Sequence, residues 1–104
     1  MGRGVAAYDD GHYPEAMEAL DAAHADHVDA EAHERARYAL YAGLTHLALG
    51  HEAQAQRWIS EAKWLWDTDR TVLEPADTGR MMSAWEALGH ARGEWGAPEL
   101  ARAR

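Results

Sequence analysis

The chain has 104 residues, enough for one modest hydrophobic core and too few for a core that splits in two. Eighteen acidic against ten basic residues leave a formal net charge of −8, which repels phosphate backbones and excludes nucleic acid and anionic membranes from the expected partners. No cysteine is present, which excludes disulfides, thiolate metal sites and a cysteine nucleophile, and no apolar run approaches the roughly 20 residues of a membrane span.

Alanine supplies much of the 47% hydrophobic content and phenylalanine is absent, so the expected interior is one of closely approaching helices. Helices are predicted over 2–10, 14–27, 30–49, 52–67, 75–91 and 98–104. The first carries Gly4 in its interior, where a glycine costs about 1 kcal/mol relative to alanine and therefore needs a packing reason. Gly11 ends it, taking the left-handed conformation that other residues avoid. His12-Tyr13-Pro14-Glu15 then starts the second helix, with Pro14 in the first turn, where a missing N–H costs nothing, and Ala16 is expected where the two helices cross.

The end of the second helix and the linker after it form the polar stretch from His24 to Glu34, with His24 and His27 three residues apart. Such a pair can chelate zinc with carboxylate support. The stretch contains no His-Glu-x-x-His and no second ligand pair at matching spacing, so it reads as a solvated helix end. No metal or cofactor is assigned, His24 and His27 being only weak metal candidates.

The third helix has the clearest apolar face, where Leu40, Leu44 and Leu47 recur with Tyr38 and Tyr41 at steps of three and four. In the fourth, Ile59, Ala62 and Trp66 share one face, and Trp64 points well away from it. Trp64 is expected either to pack under the fifth helix against Met81, Met82 or Trp85, or to line a partner-binding surface. Asp67-Thr68-Asp69 closes the fourth helix, and Pro75 and Pro98 open the last two. No segment alternates with period two for long enough to be a strand.

The chain also repeats. Gly4, Gly11 and Ala16 recur as Gly43, Gly50 and Ala55 and again as Gly89, Gly96 and Ala101, with the same internal spacing and shifts of 39 (43 − 4) and 46 (89 − 43) residues. In the first two copies Leu20 also falls on Ile59, and Ala23 on Ala62. Each trio suits a pair of antiparallel helices joined by a tight turn.

The run Tyr8-Asp9-Asp10-Gly11-His12-Tyr13-Pro14-Glu15-Ala16, continuing to Leu20 and Ala23, resembles the turn and second helix of a tetratricopeptide repeat (TPR). Trp85-Glu86-Ala87-Leu88-Gly89 resembles the aromatic, leucine and glycine signature of that repeat's first helix. The family repeat is about 34 residues, whereas the shifts here are longer, and Ala39 stands in the second copy where the third has Trp85. The resemblance implies an all-α fold of antiparallel helix pairs stacked as a short TPR-like solenoid. It implies one domain over 1–104 with copies at 1–27, 30–67 and 75–104. It assigns Gly4, Gly11, Ala16, Gly43, Gly50, Ala55, Trp85 and Gly89 to repeat packing.

In that family the first helix of each pair lines a concave surface. The matching positions are Val5, Tyr8 and Asp9, then Arg37, Leu40, Leu44 and Leu47, then Ser83, Glu86 and His90. Arg37 is the single arginine or lysine among them, which argues against a clamp for an acidic C-terminus and favours an apolar segment as ligand.

The expected function is a non-catalytic scaffold that binds a protein or peptide, without nucleic acid and without membrane insertion. Self-assembly into a homo-oligomer through truncated repeat ends is the alternative, because solenoid ends need polar caps. A histidine-based metal-binding or enzymatic domain ranks third. Ser60 and Ser83 are mid-helix and outside any nucleophile elbow, and no glycine-rich loop follows a strand. His46, His51 and His90 lie near repeat junctions, where lone histidines ordinarily hydrogen-bond or face solvent. With no signal-like apolar stretch after Met1, the expectation leans slightly towards the cytoplasm.

Overall fold

The computed structural model describes residues 2–26 and 31–89, with the backbone alone at 23–26. Among these residues there are five helices and no strand: α1 (Gly2–Asp9), α2 (Tyr13–Asp26), α3 (Ala32–Ala48), α4 (Glu52–Thr68) and α5 (Pro75–Ala87). Their bounds fall close to those read from the turn and proline signals. The helix expected over 98–104, with Gly96 and Ala101, lies outside the described residues, as do the side chains of His24 and His27.

The joints explain the pairing. At the end of α1, Gly11 N–H donates to Tyr8 C=O at 3.0 Å and His12 N–H to Ala7 C=O at 2.8 Å, with φ +80° at Gly11. At the end of α3, Gly50 N–H donates to Leu47 C=O at 3.1 Å and His51 N–H to His46 C=O at 2.8 Å, with φ +79° at Gly50. Both are Schellman closures, in which the left-handed glycine lets the chain reverse while satisfying the last carbonyls of the helix. The reversal brings α2 back along α1, and α4 back along α3.

At both crossings the backbones nearly touch. A Cβ built on Gly4 would lie 2.7 Å from Leu20 Cγ, and one on Gly43 would lie 2.6 Å from Ile59 Cδ1 and 3.1 Å from Ile59 N. Leu20, Ile59, Ala16 and Ala55 are completely buried beside these contacts. Glycine occurs mid-helix here because no other residue leaves room for the neighbouring chain.

The third joint corrects the expected register. Gly89 sits at φ +93° with its N–H donating to Glu86 C=O at 2.9 Å, and among the described residues no atom lies within 4 Å of where its Cβ would be. It is therefore a turn glycine in series with Gly11 and Gly50, not a packing glycine in series with Gly4 and Gly43. Gly11, Gly50 and Gly89 are 39 residues apart at each step (50 − 11 and 89 − 50), and each is followed by histidine. The step of 46 disappears. In the constant register Met82 takes the place of Gly4 and Gly43, so α5 carries a partly buried side chain where the other first helices carry none. Trp85 matches His46, not Ala39, and it is buried in the core.

Helix α3 is the centre of the molecule. It packs against each of the other four helices and is buried on every side from Tyr38 to Thr45. Ile59 of α4 lies against it at Gly43, and Met81, Ala84 and Trp85 of α5 belong to the same buried core. Thr45, the polar residue in that span, donates its hydroxyl to Tyr41 C=O at 2.7 Å, so no donor is left unsatisfied there. Between α4 and α5, Val72 and Leu73 turn inward, and Asp69 Oδ1 accepts from the backbone and hydroxyl of Thr71.

Gly43→Ala is expected to destabilise the fold by about 1–3 kcal/mol in urea denaturation, because the Ile59 side chain can rotate away but its backbone nitrogen cannot. Gly79→Ala, in helix α5 with open space at its Cβ, should instead stabilise it by about 0.4–1 kcal/mol.

Candidate binding groove

Three helices meet to leave a concavity. Tyr8 of α1, Leu44 and Leu47 of α3, and the face of α5 running through Ala76, Gly79, Ser83 and Ala87 line an open groove of ≈ 620 Å³. The face on α5 is shallow because its residues, at steps of three and four, are small. A smaller recess of ≈ 230 Å³ shares Leu47 and Ala87 and extends to Gly50, Glu52 and Leu88.

One wall of the groove is a polar chain that ties α1, α3 and α5 together. The Tyr41 hydroxyl donates to Asp77 Oδ1 at 2.7 Å and accepts from Arg80 Nη1 at 3.0 Å. Arg80 also donates to Asp9 Oδ1 at 2.9 Å, and Arg37 Nε lies 3.5 Å from Asp77 Oδ2. The Tyr8 ring meets the Tyr41 ring edge-on at 5.8 Å and leans on Tyr13 at 5.6 Å, while the Arg80 guanidinium stands over both Tyr8 and Tyr41.

Asp77 is only 7% exposed and falls in the first turn of α5, where the helix dipole favours a carboxylate. Its two oxygens each have a donor or cation, which is the condition for burying a charge without large loss. Burial, then the hydrogen bond and charge of Asp77, push the Tyr41 hydroxyl up to about 12, with Arg80 acting in the opposite direction. Near neutral pH that proton stays in place, so the chain of groups acts as a fixed brace. Burial likewise raises Tyr8, and the hydrogen bond that Arg80 donates to Asp9 raises Arg80.

Of the residues expected to face a partner, Tyr8, Leu44, Leu47 and Ser83 do line the groove. Leu40 does not: it is fully buried between helices and belongs to the core. Arg37 and Asp9 sit in the polar wall, each paired with an opposite charge. Val5 packs against the core, Glu86 is half-buried on α5 outside the groove lining, and His90 lies outside the described residues. Trp64 is 60% exposed on α4, a helix that contributes nothing to the groove. The expectation that it packs under α5 is corrected: Met81 and Trp85 are buried in the core and Met82 packs against it, without Trp64.

Sequence reasoning missed Tyr41, Asp77 and Arg80 as a unit. Asp77 beside Pro75 is indistinguishable in sequence from an ordinary solvated acid at a helix start. The small-residue stripe of α5, by contrast, is readable at Ala76, Gly79, Ser83 and Ala87. No group of three or more histidine and acidic side chains suited to hold a metal ion occurs among the described residues, and none of their helices is long and apolar enough to cross a membrane. No protein-family model, curated protein or solved structure matches the chain.

Tyr41→Phe takes the donor from Asp77 and the acceptor from Arg80, and is expected to cost about 1–3 kcal/mol in denaturant unfolding. Because folding holds the Tyr41 proton more tightly than the unfolded chain does, its contribution is complete below about pH 10 and is lost as pH rises towards 12. The alkaline fall in stability should therefore be shallower in the phenylalanine variant. Trp64→Ala should change stability by no more than about 0.5 kcal/mol, against about 3–5 kcal/mol for buried Trp66→Ala.

Proposed function

We propose that the chain is a non-catalytic, TPR-like scaffold that holds the apolar face of a partner helix in the groove between α1, α3 and α5. The observation that carries this reading is the composition of the groove, with Tyr8, Leu44 and Leu47 on one side facing a stripe of small residues on α5. A small-residue face lets a second helix approach closely, and the partly buried Tyr8 and Leu47 supply apolar anchors beside it. From Ala76 to Ala87 the stripe spans about 16 Å at 1.5 Å per residue, the length of three helical turns. The net charge of −8 favours basic residues flanking the partner's apolar face.

The solenoid part of the reading rests on the 39-residue recurrence of the Gly-His step and on α1, α3 and α5 lining one groove. Self-assembly is the second reading, and the exposed Trp64 on the outer helix favours it. Molar mass by light scattering across a concentration series separates the two, a dimer abolished by Trp64→Ala supporting self-assembly.

Peptides selected from a displayed library of helical segments should carry apolar residues at steps of three and four and shift the amide signals of Tyr8, Leu44, Leu47 and Ser83. Ser83→Arg, which places a long charged side chain over the groove from an exposed position, should abolish that binding without changing thermal stability. Selected peptides that bind the arginine variant equally well would sink the groove reading.

A further inference from the structure

We propose that His46 and His51 form a two-imidazole site for a divalent transition-metal ion of the zinc, nickel or copper kind, built on the turn between α3 and α4. Their Nδ1 atoms are 3.1 Å apart, with ring centroids at 5.3 Å and the rings inclined at 46°. Two nitrogens on one tetrahedral zinc, each at about 2.0–2.1 Å, stand roughly 3.3–3.4 Å apart, so the observed spacing needs only a small opening to admit the ion. Neutral imidazole is a ligand that suits all three metals.

In the metal-free pair one ring brings an Nδ1–H and the other a lone pair. On binding, the donor ring carries its proton on Nε2 instead, and both Nδ1 lone pairs face the ion. A metal takes the neutral imidazole, so binding is expected to weaken as the pH falls and protons compete for the same lone pairs.

The backbone holds the pair in place. His51 N–H donates to His46 C=O at 2.8 Å, so the two residues are the ends of the Schellman closure itself, with Gly50 between them at φ +79°. Metal binding therefore freezes little that the fold has not already fixed. His51 is exposed and His46 partly so, leaving the other coordination positions to water. The first hairpin is an internal control: its equivalent closure joins Ala7 to His12, with one imidazole only. This site lies on the α3–α4 turn and does not depend on the groove reading.

The test is titration of the full chain with zinc ion alone, at a pH above the histidine range, by calorimetry and by imidazole nitrogen NMR. One saturable equivalent is expected, with the His46 and His51 Nδ1 signals moving together. His46→Gln and His51→Gln should each weaken it by about tenfold or more, and His12→Gln and the double change His24→Ala/His27→Ala should leave it intact. Since His46 is partly buried, the exposed His51→Gln carries the test if the first variant folds poorly. No saturable binding, or binding that survives His51→Gln and disappears with His24→Ala/His27→Ala, would overturn the proposal.

Discussion

Helix α3 can be enclosed on every side only if α4 comes closer to it than two ordinary side chains permit. Gly43 makes that approach possible by presenting bare backbone to Ile59, and Gly4 does the same for Leu20 in the first hairpin. Once the helices are this close, alanines such as Ala39, Ala42, Ala55 and Ala62 suffice to fill the interior, and a chain without phenylalanine still builds a core. The tight turns at Gly11 and Gly50 follow from the same constraint, since a longer connection would not fix the register in which each glycine meets its partner.

The second consequence concerns α5. With α3 and α4 packed together, α5 lies across α3 with Met81, Ala84 and Trp85 inward, and its small residues are left beside Leu44 and Leu47. The groove is thus the space that remains when a helix with one large-residue face and one small-residue face docks on a helix whose apolar surface continues past the contact. Its wall is held by Tyr41, Asp77 and Arg80, which with Arg37 and Asp9 connect α1, α3 and α5 through polar contacts beside their apolar packing. Hydrogen bonds of fixed direction give that arrangement the orientation that non-directional burial does not.

The same turn geometry has different uses in different copies. The Gly-His step recurs every 39 residues, and of the two described closures a second histidine faces the one where His46 ends the preceding helix. In the first copy the corresponding residue is Ala7, so the two described closures, otherwise alike, display an imidazole pair or a lone histidine according to one side chain.

The sequence by itself determined the five described helices and the glycine turns that close α1 and α3, because glycine and proline act locally: a left-handed glycine or a proline in a first turn stops or starts a helix whatever packs around it. It also determined that Gly4 and Gly43 need a close neighbour. Its Gly-Gly-Ala trios, alike in internal spacing, did not show which glycines were true equivalents, since a packing glycine and a turn glycine are the same letter, and the φ of Gly89 decides for the register of the Gly-His steps. Nor did it determine that Leu40 and Leu44 are both buried, that Trp64 is uncovered, or that Asp77 is buried. Those depend on where α5 comes to rest against α3, a long-range contact between faces that carry no local signal of their own. Burial, and with it the groove and its polar wall, was decided by tertiary structure because it is a property of two surfaces and not of one segment.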